Sequence, residues 1–241
     1  MIQETATDAY GLYVIDIFVE SFYDHTHTAY DLGSDGIIST VFSTPQSTMV
    51  STLIAVDDFS KICQLYSGWN FISVPYNQSI NPEELFIKYD SSYLSWSEAT
   101  SNQNPTGSPI VNSYLFEWNR TTQSYGFVST LKPGQGYWLY AAQECELSSR
   151  QVSDAYQPSI SLLEENWNAI GLPQIQMINK DDMIIVINTT QFDWDDAVSL
   201  FYVNDYIFYW NSFLQTYEFA NMIDPGSAYW LYSFQKCSLI H

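Results

Sequence analysis

From Gly68 onward the chain states one pattern twice, so whatever fold the first copy adopts, the second must adopt too. Gly68-Trp69-Asn70-Phe71-Ile72-Ser73-Val74-Pro75 is echoed by Asn166-Trp167-Asn168-Ala169-Ile170-Gly171-Leu172-Pro173, 98 positions later. The same offset pairs Ile80-Asn81 with Ile178-Asn179 and Trp96-Ser97-Glu98-Ala99 with Trp194-Asp195-Asp196-Ala197. An insertion of six residues near Asn104-Pro105-Thr106-Gly107 in the first copy shifts the offset to 92. From there Val111 to Asn119 matches Val203 to Asn211, and Pro133-Gly134-Gln135-Gly136-Tyr137-Trp138-Leu139-Tyr140 matches Pro225-Gly226-Ser227-Ala228-Tyr229-Trp230-Leu231-Tyr232. Over 68–99 and 111–147, 28 of 69 aligned pairs are identical, which identifies a duplication.

Each copy reads as strand, short helix, strand, short helix, hairpin, strand. The apolar residues of Asn70 to Pro75 alternate as in a half-buried strand. Asn81 is a suitable N-cap, with Pro82 at N1 and two carboxylates in the first turn, where the helix dipole favours them; Asn179 and Asp181-Asp182 repeat this. Tyr114 to Trp118 and Tyr125 to Val128 read as aromatic strands joined by a polar hairpin loop. Lys132-Pro133-Gly134 and Asp224-Pro225-Gly226 are tight-turn chemistry, Pro presetting φ and Gly supplying φ > 0.

Short aromatic strands divided by turn signals predict a mainly β chain. The expected organisation is an N-terminal β domain over 1–62, a first sandwich-like or barrel-like module over 63–149, a polar linker over 150–159 and a second module over 160–241. In the first region Tyr10 to Phe22, Val41-Phe42 and Met49 to Val56 read as strands. Trp69, Trp118 and Trp138 recur at strand positions in both copies, which predicts core packing, while exposed aromatics would offer a platform for sugar rings.

Only 14% of the 241 residues are charged, against roughly 25% in ordinary soluble domains. Twenty-seven acidic and seven basic residues give a net charge of −20. That repels phosphate backbones and anionic headgroups, so neither nucleic acid nor membrane insertion is expected, and copies packing side by side would need cations between them. Met1-Ile2-Gln3-Glu4-Thr5 has neither the basic nor the apolar region of a signal peptide, and no stretch is long and apolar enough to span a bilayer.

The pairing of Gly-Trp-Asn-Phe-Ile-Ser-Val-Pro (68–75) with Pro-Gly-Gln-Gly-Tyr-Trp-Leu-Tyr (133–140) resembles a repeat of archaeal and some bacterial cell-surface proteins, and the resemblance covers residues 64–239. It implies a secreted, often glycosylated, S-layer-like or sheath-like protein located at the cell surface. Copies of itself would be its partners, with glycans as an alternative, and no catalytic residue is implied. The second copy departs from the motif at Asn166 and Ala228, where glycine is expected, so those turns should demand φ > 0 less or be slightly strained.

Cys63, Cys145 and Cys237 share a Cys-x-Leu pattern at the expected module ends. There they either crosslink modules or subunits as disulfides, or serve as buried free thiols. Asn77, Asn119 and Asn188 open Asn-x-Ser/Thr sequons and are the glycosylation candidates. Asp31 and Asp35, in an oxygen-rich, glycine-containing stretch, are candidate calcium ligands, and Asp24-His25-Thr26-His27 has the donors of a transition-metal site. No Gly-x-Ser-x-Gly, P-loop or His-Glu-x-x-His is present; the Asp181-Asp182 pair is explained by the helix N-terminus, so the chain reads as non-enzymatic.

Overall fold

The computed structural model describes the backbone of residues 2–6, 12–17, 25–31, 38–43 and 50–52, and the full structure of 59–150 and 160–240. The chain divides into two compact units, Met1–Ser60 and Lys61–His241. The first is an antiparallel meander of five strands, Ile2–Ala6, Leu12–Ile17, His25–Asp31, Ile38–Ser43 and Val50–Thr52, each paired with the next. Three of these fall in the apolar runs read from sequence; Ile2–Ala6 and the polar His25–Asp31 do not.

The second unit holds both copies. The first contributes β1 (Phe59–Leu65), β2 (Gly68–Ser73), β3 (Leu85–Tyr89), β4 (Ser92–Ser95), β5 (Val111–Asn119), β6 (Ser124–Phe127), β7 (Gly136–Ala141) and β8 (Cys145–Arg150). The second contributes β9 (Ile160–Leu163), β10 (Asn166–Gly171), β11 (Ile184–Ile187), β12 (Thr190–Phe192), β13 (Val203–Asn211), β14 (Thr216–Ala220), β15 (Ala228–Ser233) and β16 (Cys237–Ile240). One sheet of each module runs β6-β5-β7-β2 and β14-β13-β15-β10; the other runs β1-β8-β3-β4 and β9-β16-β11-β12. The strand orders are identical, and both sheets of each module line one core.

Two expected boundaries move. β1 crosses the division placed between 62 and 63, because the first module needs Phe59–Leu65 as the edge strand beside β8. Arg150, read as linker, ends β8. The helices at Asn81 and Asn179 are single 3-10 turns, Pro82–Glu84 and Lys180–Asp182. Asn179 Oδ1 accepts from Asp181 N (3.0 Å), and the Glu84 carboxylate reaches back to Asn81 N (2.7 Å). The α-helices are also short: α1 (Trp96–Ala99), capped by Ser95, and α2 (Trp194–Ser199), capped by Asp193. Each drops one buried tryptophan into its own module's core.

The repeated motif has a mechanical explanation. Asn70 and Asn168 are buried and clamp the turns entering β2 and β10: Asn70 Nδ2 donates to Tyr66 O (2.8 Å) while its Oδ1 accepts from Tyr66 N (2.9 Å), and Asn168 does the same with Glu164. The buried Tyr137 and Tyr229 hydroxyls accept from the backbone N–H of Lys132 (2.5 Å) and Asp224 (2.7 Å), tying each Pro-Gly turn to the strand that follows it. Burial holds both phenols above the ordinary tyrosine pKa. Asn166 keeps the left-handed backbone of its glycine counterpart, φ +83° against +108° at Gly68, a conformation asparagine tolerates better than most residues. Ala228 stands where glycine serves close approach, not φ: a Cβ on Gly136 would lie 2.8 Å from Ala228 Cβ.

Candidate functional site

The strands β2, β5 and β7 are apolar on both faces, and so are β10, β13 and β15. On β7, Tyr137, Leu139 and Ala141 point into their own module's core, whereas Trp138 belongs to a separate cluster with Phe71, Ala169, Ala228 and Trp230. That cluster is where the two modules meet. A strand buried on both faces reads as a continuous apolar run instead of an alternation, which is what Tyr137-Trp138-Leu139-Tyr140 had offered. The tryptophans assigned to module cores are therefore corrected: six of the eight serve the junction between modules.

The junction is pseudo-isologous: its hydrogen bonds from Trp and Gln side chains occur twice with the roles of the modules exchanged. Trp118 Nε1 donates to Trp167 O (2.9 Å), and Trp210 Nε1 donates to Trp69 O (2.7 Å). Gln123 closes both the N–H (3.1 Å) and the C=O (3.0 Å) of Trp167, and Gln215 does so for Trp69 (2.9 Å each). Both glutamines sit at positive φ at the ends of equivalent hairpins. Bridges Ile72 to Ser227 and Gln135 to Ile170 complete the exchange. A pseudo-two-fold axis thus relates the modules.

Two clefts flank this junction. One, of about 490 Å³, is walled by Trp69, Phe116, Tyr125, Trp138, Trp210 and Tyr217. Applying the offsets of the duplication to those six residues yields the wall of the other, of about 500 Å³: Trp167, Phe208, Tyr217, Trp230, Trp118 and Tyr125. Every lining side chain is aromatic. Trp69 and Trp167 are 40% and 38% exposed, and Tyr125 and Tyr217 about half, so these rings are partly open to solvent. Each exposed indole is held edge to face, Trp69 by Tyr140 at 5.4 Å and Trp167 by Tyr232 at 5.3 Å.

No family model, curated protein or solved structure matches the chain. The chemistry open to the site follows from its own geometry. Burial raises the phenol pKa of Tyr125 and of Tyr217, with Tyr217 adding to the rise at Tyr125. At neutral pH both hydroxyls are protonated and can donate or accept. Trp138 Nε1 is buried without a hydrogen bond of normal geometry, although it approaches the Tyr125 hydroxyl closely enough to offset part of that rise. The clefts hold no nucleophile, base or cation, only flat apolar rings with hydroxyls shared between them.

The other candidate residues lie elsewhere. Cys63, Cys145 and Cys237 are free thiols, which corrects the intrachain crosslink reading. Cys145 and Cys237 are buried at equivalent positions, opening β8 and β16, whereas Cys63 lies within β1, where the second module has Ser161. The shared Cys-x-Leu pattern therefore does not mark three equivalent module ends. Burial pushes the Cys63 and Cys145 thiols up to about 12, and raises Cys237 as well, leaving little thiolate to react. Asn77, Asn119 and Asn188 are all exposed. Asn119 Oδ1 caps its hairpin, accepting from the N–H of Thr121 and Thr122 (3.0 Å each). Asn188 and Thr189 form the two-residue turn between β11 and β12, both at positive φ. Asp35 and the side chains of Asp31, His25 and His27 lie outside the described residues; among the described ones no group of three or more His, Cys, Asp or Glu could hold a metal. Among them, too, no helix is long and apolar enough to cross a membrane.

Proposed function

We propose that the chain is a non-enzymatic component of an extracellular surface, and that its paired aromatic clefts bind neutral carbohydrate. The observation that carries this reading is the pair of clefts themselves, each within the size range of ligand pockets and walled only by aromatic rings, several of them partly exposed. A pyranose offers a flat patch of C–H groups edged by hydroxyls. The patch stacks on an indole or phenol ring, and the hydroxyls reach the Tyr125 and Tyr217 oxygens. A net charge of −20 favours neutral glycans over anionic ones.

The direct test is titration of the full chain with neutral soluble polysaccharides, followed by tryptophan emission and calorimetry. Binding is expected, and Trp69→Ala with Trp167→Ala should abolish it while urea unfolding followed by the remaining tryptophans stays a single cooperative transition. If no neutral glycan binds, the proposal fails.

Self-assembly into a sheath, S-layer or filament is a second reading, and the exposed aromatics of the edge strands favour it. β6 exposes Tyr125 and Phe127, and β14 exposes Tyr217 and Phe219. Such edges are templates for pairing with another chain. Electron microscopy in the presence of calcium would reveal ordered arrays, and a monomer under all conditions would exclude them.

A further inference from the structure

Both clefts are built around the same two side chains. Tyr125 and Tyr217 line each of them, so the clefts meet at this tyrosine pair. Trp69 and Trp167 stand as equivalent, partly exposed platforms in the two clefts. We infer that the clefts form one continuous track, so that a single linear neutral glycan crosses the pseudo-two-fold axis over Tyr125 and Tyr217 and stacks on both Trp69 and Trp167. This rests on the carbohydrate reading above and specifies its ligand as a chain, not a terminal sugar.

Three observations favour one long occupant. Two ligands bound separately would compete for Tyr125 and Tyr217, since neither cleft has a tyrosine of its own. A second copy of this chain is opposed as occupant by charge, because −20 would be brought against −20. A neutral polymer escapes that cost. The two-fold relation also fixes the mode of recognition: a glycan has direction, so it enters one cleft in the opposite sense to the other. Side chains related by a two-fold cannot match hydrogen-bond patterns along such a chain in both halves, whereas stacking on ring faces is indifferent to direction. Walls made only of aromatic rings suit that requirement.

The experiment is calorimetric titration of the unmodified full chain with a neutral β-1,4-linked gluco-oligosaccharide series from disaccharide to octasaccharide, with an α-1,4-linked series in parallel. The expected result is a steep rise in affinity once the oligosaccharide spans both clefts, of about 10²–10⁴-fold, as linked binding events give. One long ligand per chain is expected, and Tyr125→Ala should remove most of the length dependence. Two short ligands per chain with no gain on lengthening would overturn the single track while leaving carbohydrate binding intact. Binding confined to one cleft, untouched by Trp167→Ala, would overturn it too. No binding at any length would remove the carbohydrate reading itself. Because stoichiometry and length dependence are measured on unmodified protein, the outcome does not depend on a variant folding.

Discussion

Replacing Phe71 by alanine would test the two-fold relation at its axis. The ring is 3% exposed and lies between two indoles, stacked on Trp138 of its own module at 4.5 Å and 19°, and on Trp230 of the other at 5.1 Å and 21°. Its counterpart is Ala169, buried in the same cluster. Phe71→Ala should cost about 3–5 kcal/mol, the range for a buried phenylalanine truncated to alanine, with the two lost stacks included. Ala169→Phe alone adds a ring where one already sits, and overpacking of that kind costs about 1–3 kcal/mol.

The exchange of both residues distinguishes axial symmetry from local accident. If the modules are related as described, the ring that Ala169→Phe introduces enters the slot vacated by Phe71→Ala from the other side, and should recover a large part of the loss. Full recovery needs a second exchange. A Cβ on Gly136 would lie 3.0 Å from the Phe71 ring, so a ring carried at position 169 meets the Cβ that Ala228 already has. Gly136→Ala with Ala228→Gly relieves that contact, and the four-residue exchange should be more stable than the sum of its single changes by at least about 2–3 kcal/mol, the upper end of the coupling a contacting pair shows. Urea unfolding followed by tryptophan emission is the assay. All eight tryptophans lie between positions 69 and 230, so the signal reports the repeated unit alone. With a urea slope of about 2 kcal/mol per molar, Phe71→Ala should lower the midpoint by about 1.5–2.5 M. A four-residue exchange as unstable as the sum of its parts would refute the axial argument.

Two further outcomes are expected. Gly226→Ala should destabilise by about 2–5 kcal/mol, since its Cβ would lie 2.1 Å from the Ile62 carbonyl oxygen and its φ is +80°; Gly107→Ala shares the positive φ (+71°) but meets nothing within 4 Å, and should cost only about 1–2 kcal/mol by the same urea assay. The raised Cys63 and Cys145 thiols, near 9 when unfolded and about 12 when folded, keep their protons in the native state, as do Tyr137 and Tyr229 above the ordinary phenol value of 10. The unfolded chain therefore loses protons first. The contribution of these groups to stability should be constant from neutral pH up to about pH 9 and fall as pH rises towards 12, by about 1.4 kcal/mol per pH unit for each such group. A urea midpoint unchanged between about pH 8 and pH 11 would contradict this.

The duplication, the paired strand orders and the Pro-Gly turns were legible because local chemistry sets them: Asn70, Tyr137 and Gly134 act within a few residues of their own positions. The junction was not legible from one copy, because a tryptophan buried against another module obeys the same rules as one buried in its own core. The continuous apolar run Tyr137 to Tyr140 was the available signal, and it conflicts with a strand having one wet face. The cysteine pattern misled for a related reason. Cys63-Gln64-Leu65 and Cys145-Glu146-Leu147 look alike as tripeptides, yet β1 and β8 are different strands of one sheet, and only comparison with Ser161 and Cys237 separates them.

Comparing the copies with each other carries more information than reading either alone. Residues on a two-fold axis face their own counterparts, so identical modules must place identical side chains against each other there. Two phenylalanines would compete for the slot between Trp138 and Trp230, and a Cβ on Gly171 would lie 2.2 Å from Ser73 Cβ. Covalent fusion of the two modules removes that constraint, because the members of each pair can change separately. Phe71 with Ala169, Ser73 with Gly171 and Ala228 with Gly136 are each a larger residue beside a smaller one. Away from the axis, the side chains that make the exchanged hydrogen bonds and platforms are the same in both copies: Trp118 and Trp210, Gln123 and Gln215, Trp69 and Trp167. Size differences inside an otherwise repeated strand thus locate the axis, and from the axis follow the junction and the two clefts beside it.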